Sequence, residues 1–266
     1  MKKLIKSLLP PILLNWYRAL GISGIRFNGE YSSWKEAKRY TKGYNNKDIF
    51  KKVSQAALKV KNGEFAFERD SILFSEYEYL WSSLACLMHV AACNKGNLSV
   101  LDFGGSLGSS YFLNKKFLEN IDVEWSVVEQ PHFVDYGKKE ISDDVLKFYY
   151  NISECRVERN PNCVFLSSVI QYLEDPYQWL DIFVSLDVNF ILIDRTIFSK
   201  KQNEFIQIQE VPSSIYRASY PLHALNEEKI TNLMIESGYK LIERFTPDVK
   251  IETRRIYTKG LFFKKV

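Results

Sequence analysis

The chain has little of what marks disulfide-rich or metal-binding proteins. It contains 4 cysteines and 3 histidines in 266 residues. The cysteines Cys86, Cys93, Cys155 and Cys163 form no C-x-x-C pair and have no histidine at ligand spacing. We therefore expect reduced, mostly buried cysteines, no bound metal and a cytoplasmic protein.

The sequence also lacks an excess of one charge and a long apolar run. Its 36 basic and 32 acidic residues leave a formal net charge of +4, which is too balanced for a dedicated nucleic-acid-binding protein. No uninterrupted apolar run approaches the ~18–20 residues that a transmembrane helix needs. Pro10-Pro11 interrupts the apolar run near the N-terminus, and no small-residue cleavage site follows it. We expect neither a nucleic-acid partner nor a secretion signal.

Residues 1–20 have a basic amphipathic pattern, in which Lys2, Lys3 and Lys6 lie away from a helical face of leucine and isoleucine. A segment of this kind binds an anionic membrane surface, which would place the protein peripherally at the inner face of the membrane. The alternative is a helix packed on its own domain or on a second subunit of a homodimer.

The character of the sequence changes near Asn94–Asn97, which carries strong turn signals. Before this point the pattern predicts helices over Trp34–Tyr40, Ile49–Val60 and Ser71–Cys93. After it, short apolar strands alternate with amphipathic helices. The strand candidates are Leu98–Phe103, Val123–Glu129, Val145–Tyr150, Cys163–Ser167, Asn189–Asp194, Tyr239–Phe245 and Ile256–Phe263. We predict an α/β fold with an N-terminal helical region (1–95) and a doubly wound, mostly parallel sheet (96–266) with an antiparallel edge.

An apolar strand runs into a glycine-rich turn at Gly104-Gly105-Ser106-Leu107-Gly108, and a helix follows. In an open α/β sheet this is where ligands bind. A dinucleotide-binding G-x-G-x-x-G motif starting at Gly104 would need glycine at Ser106 and Ser109. No lysine stands where a P-loop requires one. An oxidoreductase or sugar-nucleotide enzyme is therefore disfavoured.

The turn resembles the G-x-G-x-G motif of class I S-adenosylmethionine (SAM) methyltransferases, with the acidic Asp102 just before it. Two further segments match at the right separations: Trp125 to Glu129 ends the second strand with an acid, and Val164 to Pro176 resembles the fourth-strand segment of these enzymes. The resemblance implies a Rossmann-like methyltransferase sheet with SAM as cofactor.

Four segments narrow the resemblance: Phe67-Glu68-Arg69-Asp70-Ser71, Asp102 to Gly108, Val128-Glu129-Gln130-Pro131, and the late Val211 to Tyr216 with Ser219-Tyr220-Pro221. Together they resemble a methyltransferase family associated with bacterial surface-polysaccharide (O-antigen-type) biosynthesis clusters. The resemblance implies O-methylation of a sugar or a carrier-linked sugar. The alternative is a SAM-type fold without turnover that serves as a binding or assembly subunit of such a pathway.

The resemblance also implies the cofactor contacts. The glycine turn would border the methionine and ribose portions, Glu129 would hold the ribose diol, and Gln130 would assist at the ribose or adenine edge. Asn151 and Ile152 after the third strand would contact adenine, and Ser168 would face the site from the fourth strand. The cofactor-binding residues are thus Asp102, Gly104, Gly105, Ser106, Gly108, Glu129, Gln130, Asn151, Ile152 and Ser168.

A hydroxyl acceptor requires a base within hydrogen-bond reach as its proton is lost. The candidates are His223, the only one with an ordinary pKa near neutrality, and Asp194 at the end of the fifth strand, with Asp70 as a third. Arg69 and Arg195 suit a phosphate or carboxylate on the acceptor, with a structural salt bridge as the alternative. The expected acceptor-binding residues are Arg69, Asp70, Tyr172, Arg195 and Tyr220. Ile197–Leu225 is expected to be a long functional loop.

Overall fold

The structure, a computed structural model, describes residues 25–41, 47–212 and 218–266. The predicted amphipathic segment 1–20 and the motif residues Ser213 to Tyr216 lie outside the described residues. The strands are β1 (Arg26–Tyr31), β2 (Phe67–Arg69), β3 (Ile72–Phe74), β4 (Asn97–Phe103), β5 (Asp122–Val128), β6 (Leu146–Tyr149), β7 (Cys163–Ser167), β8 (Phe190–Ser199), β9 (Phe205–Val211), β10 (Ala218–Ala224), β11 (Tyr239–Phe245) and β12 (Ile256–Lys265). The α-helices are α1 (Trp34–Arg39), α2 (Lys47–Lys61), α3 (Trp81–Cys93), α4 (Ser109–Leu118), α5 (Pro131–Tyr136), α6 (Ile152–Glu158), α7 (Pro176–Ser185) and α8 (Glu227–Glu236).

The chain divides into two compact units, Met1–Tyr44 with Phe205–Leu222, and Asn45–Glu204 with His223–Val266. The first contains a three-stranded sheet in the order β1-β9-β10, in which β1 and β9 are antiparallel. The boundary predicted near residue 95 stays a prediction.

The second unit contains a seven-stranded sheet in the order β11-β12-β8-β7-β4-β5-β6. Strands β6, β5, β4, β7 and β8 are parallel, and β12 runs antiparallel to both β8 and β11. The predicted mostly parallel sheet with an antiparallel pair at one edge is confirmed. Central strands such as β4 are apolar runs because helices cover both faces of a doubly wound sheet. The strand order reverses beside β4, so a crevice opens at the carboxyl ends of β4 and β7.

Local signals set several helix starts. Asp175 caps α7 by accepting a 3.3 Å hydrogen bond from the Gln178 N–H, and Pro176 stands in the first turn, where its missing N–H costs nothing. Asn151 caps α6 in the same way through the Glu154 N–H, at 2.8 Å. These caps fix where the chain turns back after β6 and after the turn that follows β7.

Two predicted elements were wrong. The helix predicted over Ser71–Cys93 begins only at Trp81, because Asp70 and Ser71 adopt left-handed φ values of 52° and 66° and form the turn of the β2–β3 hairpin. The hairpin is closed by stacking of the Phe67 and Phe74 rings, 4.4 Å apart.

The long loop predicted over Ile197–Leu225 is largely strand. Strand β8 continues to Ser199, and β9 and β10 follow it. The alternation of apolar and polar residues does not predict β9, because the polar Gln207 and Gln209 are buried on either side of the apolar Ile208. Among the described residues, no helix has the length and apolarity needed to cross a membrane.

Candidate active site at the carboxyl ends of the strands

The glycine turn joins β4 to α4 and requires small residues at defined points. Gly104 and Gly108 have φ values of +73° and +84°, which glycine adopts without strain. A Cβ atom on Gly104 would lie 2.5 Å from Cγ2 of Val169. The Gly104 N–H donates a 2.9 Å hydrogen bond to the Val128 carbonyl, which ties the turn to the end of β5. Ser106 also has a left-handed φ, of 53°.

Asp102 supports this turn from beneath. Its side chain is 1% exposed and accepts a 2.9 Å hydrogen bond from the indole N–H of Trp125. A Cβ atom on Gly105 would lie 2.5 Å from Cγ of Asp102, so the carboxyl group requires glycine there. Burial raises the pKa of Asp102 to about 7, and the nearby charge of Glu129 acts in the same direction.

Glu129 follows β5 and faces the same turn. Its carboxylate accepts a 2.6 Å hydrogen bond from the Gln130 N–H. Burial raises the pKa of Glu129 to about 7, although the backbone N–H groups of Gln130 and Ser106 favour the ionised form. Gln130 is exposed and stands at the start of α5. A carboxylate held at this place has acceptor capacity left for two hydroxyl groups.

The ends of β6 and β7 carry the other predicted cofactor residues. Asn151 is exposed at the start of α6, and Ile152 after it is buried. Ser168 has a left-handed φ of 57°, and its N–H donates a 2.9 Å hydrogen bond to the Asp194 carbonyl. Its hydroxyl accepts a 3.2 Å hydrogen bond from Gln171. Gln171, which no sequence motif singles out, is 0% exposed and also donates to the Arg195 carbonyl at 3.3 Å.

Asp194 and Arg195 form a β-bulge in β8. Ile193 pairs with Leu261 and Thr196 with Lys259, so two residues of β8 oppose the single Gly260 of β12. Bulges of this kind redirect side chains and are frequent beside active sites. Arg195 has a left-handed φ of 49°, and its N–H donates a 2.8 Å hydrogen bond to Oδ1 of Asp194.

The Asp194 carboxylate is almost fully engaged. It accepts hydrogen bonds from the Ser167 hydroxyl at 3.2 Å and from the Arg195 N–H at 2.8 Å, and it lies 3.7 Å from Nε of Arg195. Burial raises the pKa of Asp194, while these partners oppose the rise. Such a group holds Arg195 in place better than it accepts a substrate proton.

The β2–β3 hairpin brings three consecutive charged residues to the glycine turn. The Glu68 carboxylate accepts hydrogen bonds from the Ser109 hydroxyl, at the first residue of α4, and from the Ser71 N–H. Burial raises the pKa of Glu68. Asp70 is exposed at the tip. Glu68 belongs to the Phe67-Glu68-Arg69-Asp70-Ser71 motif, but the sequence predicts no role for it, because only the fold shows that Ser109 lies beside it.

Tyr172 ends the 3₁₀ turn Ile170–Tyr172 that follows β7, and burial raises its pKa to about 12. His223 lies against the next residues, with Nε2 3.3 Å from the Glu174 carbonyl. Burial lowers the pKa of His223, although hydrogen bonds to the Glu174 and Leu173 carbonyls oppose this.

Tyr220 belongs to the first unit, where its hydroxyl accepts a 3.1 Å hydrogen bond from Gln209.

The second unit therefore places predicted residues after the ends of β4, β5, β6 and β7, on the β2–β3 hairpin and on the turn after β7. Asp194 was expected at the end of a strand but lies within β8, which continues to Ser199, and its position beside the site comes from pairing with Ser167 at the end of β7. Comparison with known proteins finds no matching family model and no matching curated protein. Among solved structures, the chain resembles the N-terminal domain of EvdMO1 with SAH bound, at 9% identity over 81% of this chain and 97% of that one, with a TM-score of 0.50.

A second similar structure is magnesium protoporphyrin IX methyltransferase (ChlM) from Synechocystis PCC 6803 with bound SAM, at 14% identity over 90% of this chain and 100% of that one, with a TM-score of 0.49. A third is an S-adenosylmethionine-dependent methyltransferase from Clostridium acetobutylicum ATCC 824, at 10% identity over 71% of this chain and 92% of that one, with a TM-score of 0.46. The fold is that of the class I SAM-dependent methyltransferases. At these identities the likeness concerns the fold alone.

Proposed function

We propose that the chain is a SAM-dependent methyltransferase. The observation that carries the proposal is the place of Glu129, which directly follows β5 beside the glycine turn, where the Gly104 N–H donates a 2.9 Å hydrogen bond to the Val128 carbonyl. A ribose diol donates two hydrogen bonds, and a carboxylate at this place in a doubly wound sheet is suited to accept them. The similarity of the fold to EvdMO1 crystallised with SAH supports the same cofactor.

The residues present fit that cofactor. The left-handed Gly104 and Gly108 allow the turn to approach a ligand closely, and α4 presents its free N–H groups there. Glu129 would hold the ribose, with Gln130 beside it. Asn151 and Ile152 would contact adenine, and Ser168 would face the site from the end of β7. Asp102 would act through the shape of the turn. When bound, SAM supplies a methyl group on a positively charged sulfur, which is a good leaving group.

We propose a sugar, or a sugar-containing intermediate of surface-polysaccharide biosynthesis, as acceptor, on the strength of the sequence resemblance. Arg69, Asp70, Tyr172 and Arg195, all in the second unit, are the proposed acceptor contacts, and the role expected for Tyr220 of the first unit stays a prediction. In the transfer, the acceptor oxygen forms a bond to the methyl carbon, the carbon–sulfur bond breaks and its electron pair stays on sulfur. The hydroxyl proton passes to a base.

His223 is the proposed base. Its pKa is lowered by burial, so the imidazole is neutral at pH 7 and can accept a proton. It lies against the turn that follows β7, whereas Asp194 is committed to Arg195 and the Ser167 hydroxyl. Orientation of the acceptor by the surrounding residues supplies the rest of the rate.

The test uses the full-length protein. Calorimetry with S-adenosylhomocysteine should show saturable binding, and radiolabelled SAM should label a hexose derivative in a panel of sugars, sugar phosphates and nucleotide sugars. Absence of S-adenosylhomocysteine binding would contradict the proposal. Binding with no transfer to any acceptor in the panel would favour the binding-subunit alternative.

The membrane contact proposed for residues 1–20 has its own test. The full chain should co-sediment with vesicles containing anionic lipid more than a variant with Lys2, Lys3 and Lys6 changed to glutamine. Equal co-sedimentation would favour a helix packed on protein.

A further inference from the structure

Two arginines from separate elements lie at the same end of the sheet. Arg69 is on β2, next to Glu68, which accepts a hydrogen bond from Ser109 at the start of α4. Arg195 is in the β8 bulge, one residue after Asp194, which pairs with Ser167 at the end of β7. Burial lowers the pKa of Arg69 and the charge of Arg195 lowers it further, while the charges of Glu78 and Asp70 oppose this. Two like charges held together in a half-buried place are unfavourable unless a negative charge lies between them.

Arg69 has donors left over. Its guanidinium lies over the Phe67 and Phe74 rings, with Cζ 5.2 Å and 5.6 Å from the ring centres, so the rings take its faces and leave the N–H groups at its edge. One nitrogen, Nη1, is 3.5 Å from the exposed carboxylate of Glu78. The other, Nη2, is buried and has no hydrogen-bond partner among the described residues. An unmade hydrogen bond of a buried charged group is costly.

Two nitrogens of the Arg195 guanidinium make hydrogen bonds, and the third, Nη1, makes none with the described residues. Nε and Nη2 both donate to the Ser167 hydroxyl, at 3.1 Å and 3.0 Å, and Ser167 donates on to Asp194. The Gln171 side chain holds the Arg195 carbonyl. The direct contact with Asp194, at 3.7 Å, is longer than a charge-assisted hydrogen bond of about 2.7–2.9 Å. Neither arginine therefore makes the bidentate pair that guanidinium groups form with carboxylates and phosphates.

We propose that Arg69 and Arg195 together bind an oxyanion, phosphate or carboxylate, carried by the acceptor substrate. This inference rests on the proposed function, since it narrows its acceptor to an anionic sugar derivative. Tyr172 lies near both Arg195 and Asp70 and adds a ring against which a sugar can pack.

The first experiment uses pyrophosphate as the probe and calorimetry on the full-length protein. Wild-type protein should bind pyrophosphate saturably, and Arg69→Gln should weaken this binding at least ~10-fold. Arg69→Lys should fall between them, because it keeps the charge but loses the planar fork. Arg156→Gln is the matched control, since that guanidinium donates to the Leu186 carbonyl before β8 begins and should leave binding unchanged. Absence of wild-type binding, or equal binding by Arg69→Gln, would overturn the proposal.

The second experiment compares glucose, glucose 1-phosphate and glucuronate as acceptors or competitors. A phosphate site favours glucose 1-phosphate and a carboxylate site favours glucuronate, and in each case Arg69→Gln should remove the preference over glucose. No preference for either anion over glucose would refute the inference.

S-adenosylhomocysteine binding separates this inference from the proposed function. Normal S-adenosylhomocysteine binding by Arg69→Gln, with pyrophosphate binding lost, is the expected result. If Arg69→Gln instead weakens S-adenosylhomocysteine but not 5′-methylthioadenosine, the arginines bind the cofactor carboxylate and the acceptor assignment fails. Thermal unfolding of each variant checks that it is folded.

Discussion

The backbone N–H of Gly104 donates a 2.9 Å hydrogen bond to the carbonyl of Val128. Gly104 belongs to the turn after β4, and Val128 is the last residue of β5, so the bond fixes the distance between the two strand ends at the surface where a ligand would lie. Glu129 is the next residue after Val128. The shape of the turn and the position of the acid are therefore set together.

Glu129→Gln should weaken S-adenosylhomocysteine binding by about 10–100-fold. The change removes the charge of an acceptor, and a hydrogen bond to a charged group contributes about 1.5–3 kcal/mol. Glu124→Gln is the control, because Glu124 lies on the same strand but accepts a hydrogen bond from Ser99, near the start of β4. Calorimetry measures both; equal affinities for Glu129→Gln and wild type would remove Glu129 from the site.

S-adenosylhomocysteine affinity should rise between pH 6 and pH 8. The pKa of Glu129 in the free protein is about 7, and hydroxyl donors favour the ionised carboxylate. Below that pKa a proton must leave when the ligand binds, so the dissociation constant should increase up to ~10-fold for each pH unit lost. Glu129→Gln should show a flatter profile over the same range.

Gly105→Ala should lower stability by about 1–3 kcal/mol, because its Cβ atom would overlap Asp102. Gly63→Ala is a matched comparison: its φ of +75° costs about 1–2 kcal/mol, but no atom lies within 4 Å of the added carbon. Urea unfolding should show similar losses, whereas only Gly105→Ala should lose S-adenosylhomocysteine binding. Unchanged binding by Gly105→Ala would show that the turn tolerates the shift.

Asp102→Asn should flatten the pH dependence of stability. The pKa of Asp102 is about 7 in the folded chain and near 4 in the unfolded chain, so the folded state holds the proton more tightly between these values. Its stabilising contribution is complete below about pH 4 and is lost as the pH rises through 7, at up to about 1.4 kcal/mol per pH unit. Urea unfolding at pH 5 and pH 8 measures this. An unchanged slope in the variant would mean that Asp102 is ionised in the folded state.

His223→Ala and His223→Gln should both lower methyl transfer by ~10²–10⁴-fold and leave S-adenosylhomocysteine affinity nearly unchanged. The glutamine amide can still donate to the Glu174 carbonyl, as Nε2 of His223 does when it carries the proton, but cannot accept a proton at neutral pH. Recovery of activity in His223→Gln alone would make His223 a structural residue.

The sequence could predict the parts of the site that are local in the chain. Mostly buried residues form the second half of β4, β5 and β7, and a glycine or polar residue follows each strand at once. Parallel pairing of these strands therefore aligns Gly104, Glu129 and Ser168. The start of α7 is also local in the chain, because the cap Asp175 and the first-turn Pro176 are neighbours in sequence.

The sequence could not predict contacts between distant segments. Glu68 and Ser109 are 41 residues apart, and nothing in either segment announces the hairpin that joins them. Ser71, which reads as part of a helix by composition, follows Asp70 in a tight turn because pairing of Phe67 with Phe74 is favourable. In these places tertiary packing overrides local propensity.

The bulge at Asp194 and Arg195 also changes which residue numbers face which side of the sheet. In a regular strand, Ile193 and Phe198 would point to opposite faces, because they are an odd number of residues apart. Both belong to the same buried cluster, since the extra residue opposite Gly260 reverses the alternation. Deleting one residue here would restore the ordinary count and turn Thr196 and Phe198 to the other face, or shear β8 along β12. The length of this stretch is therefore under stronger constraint than its composition.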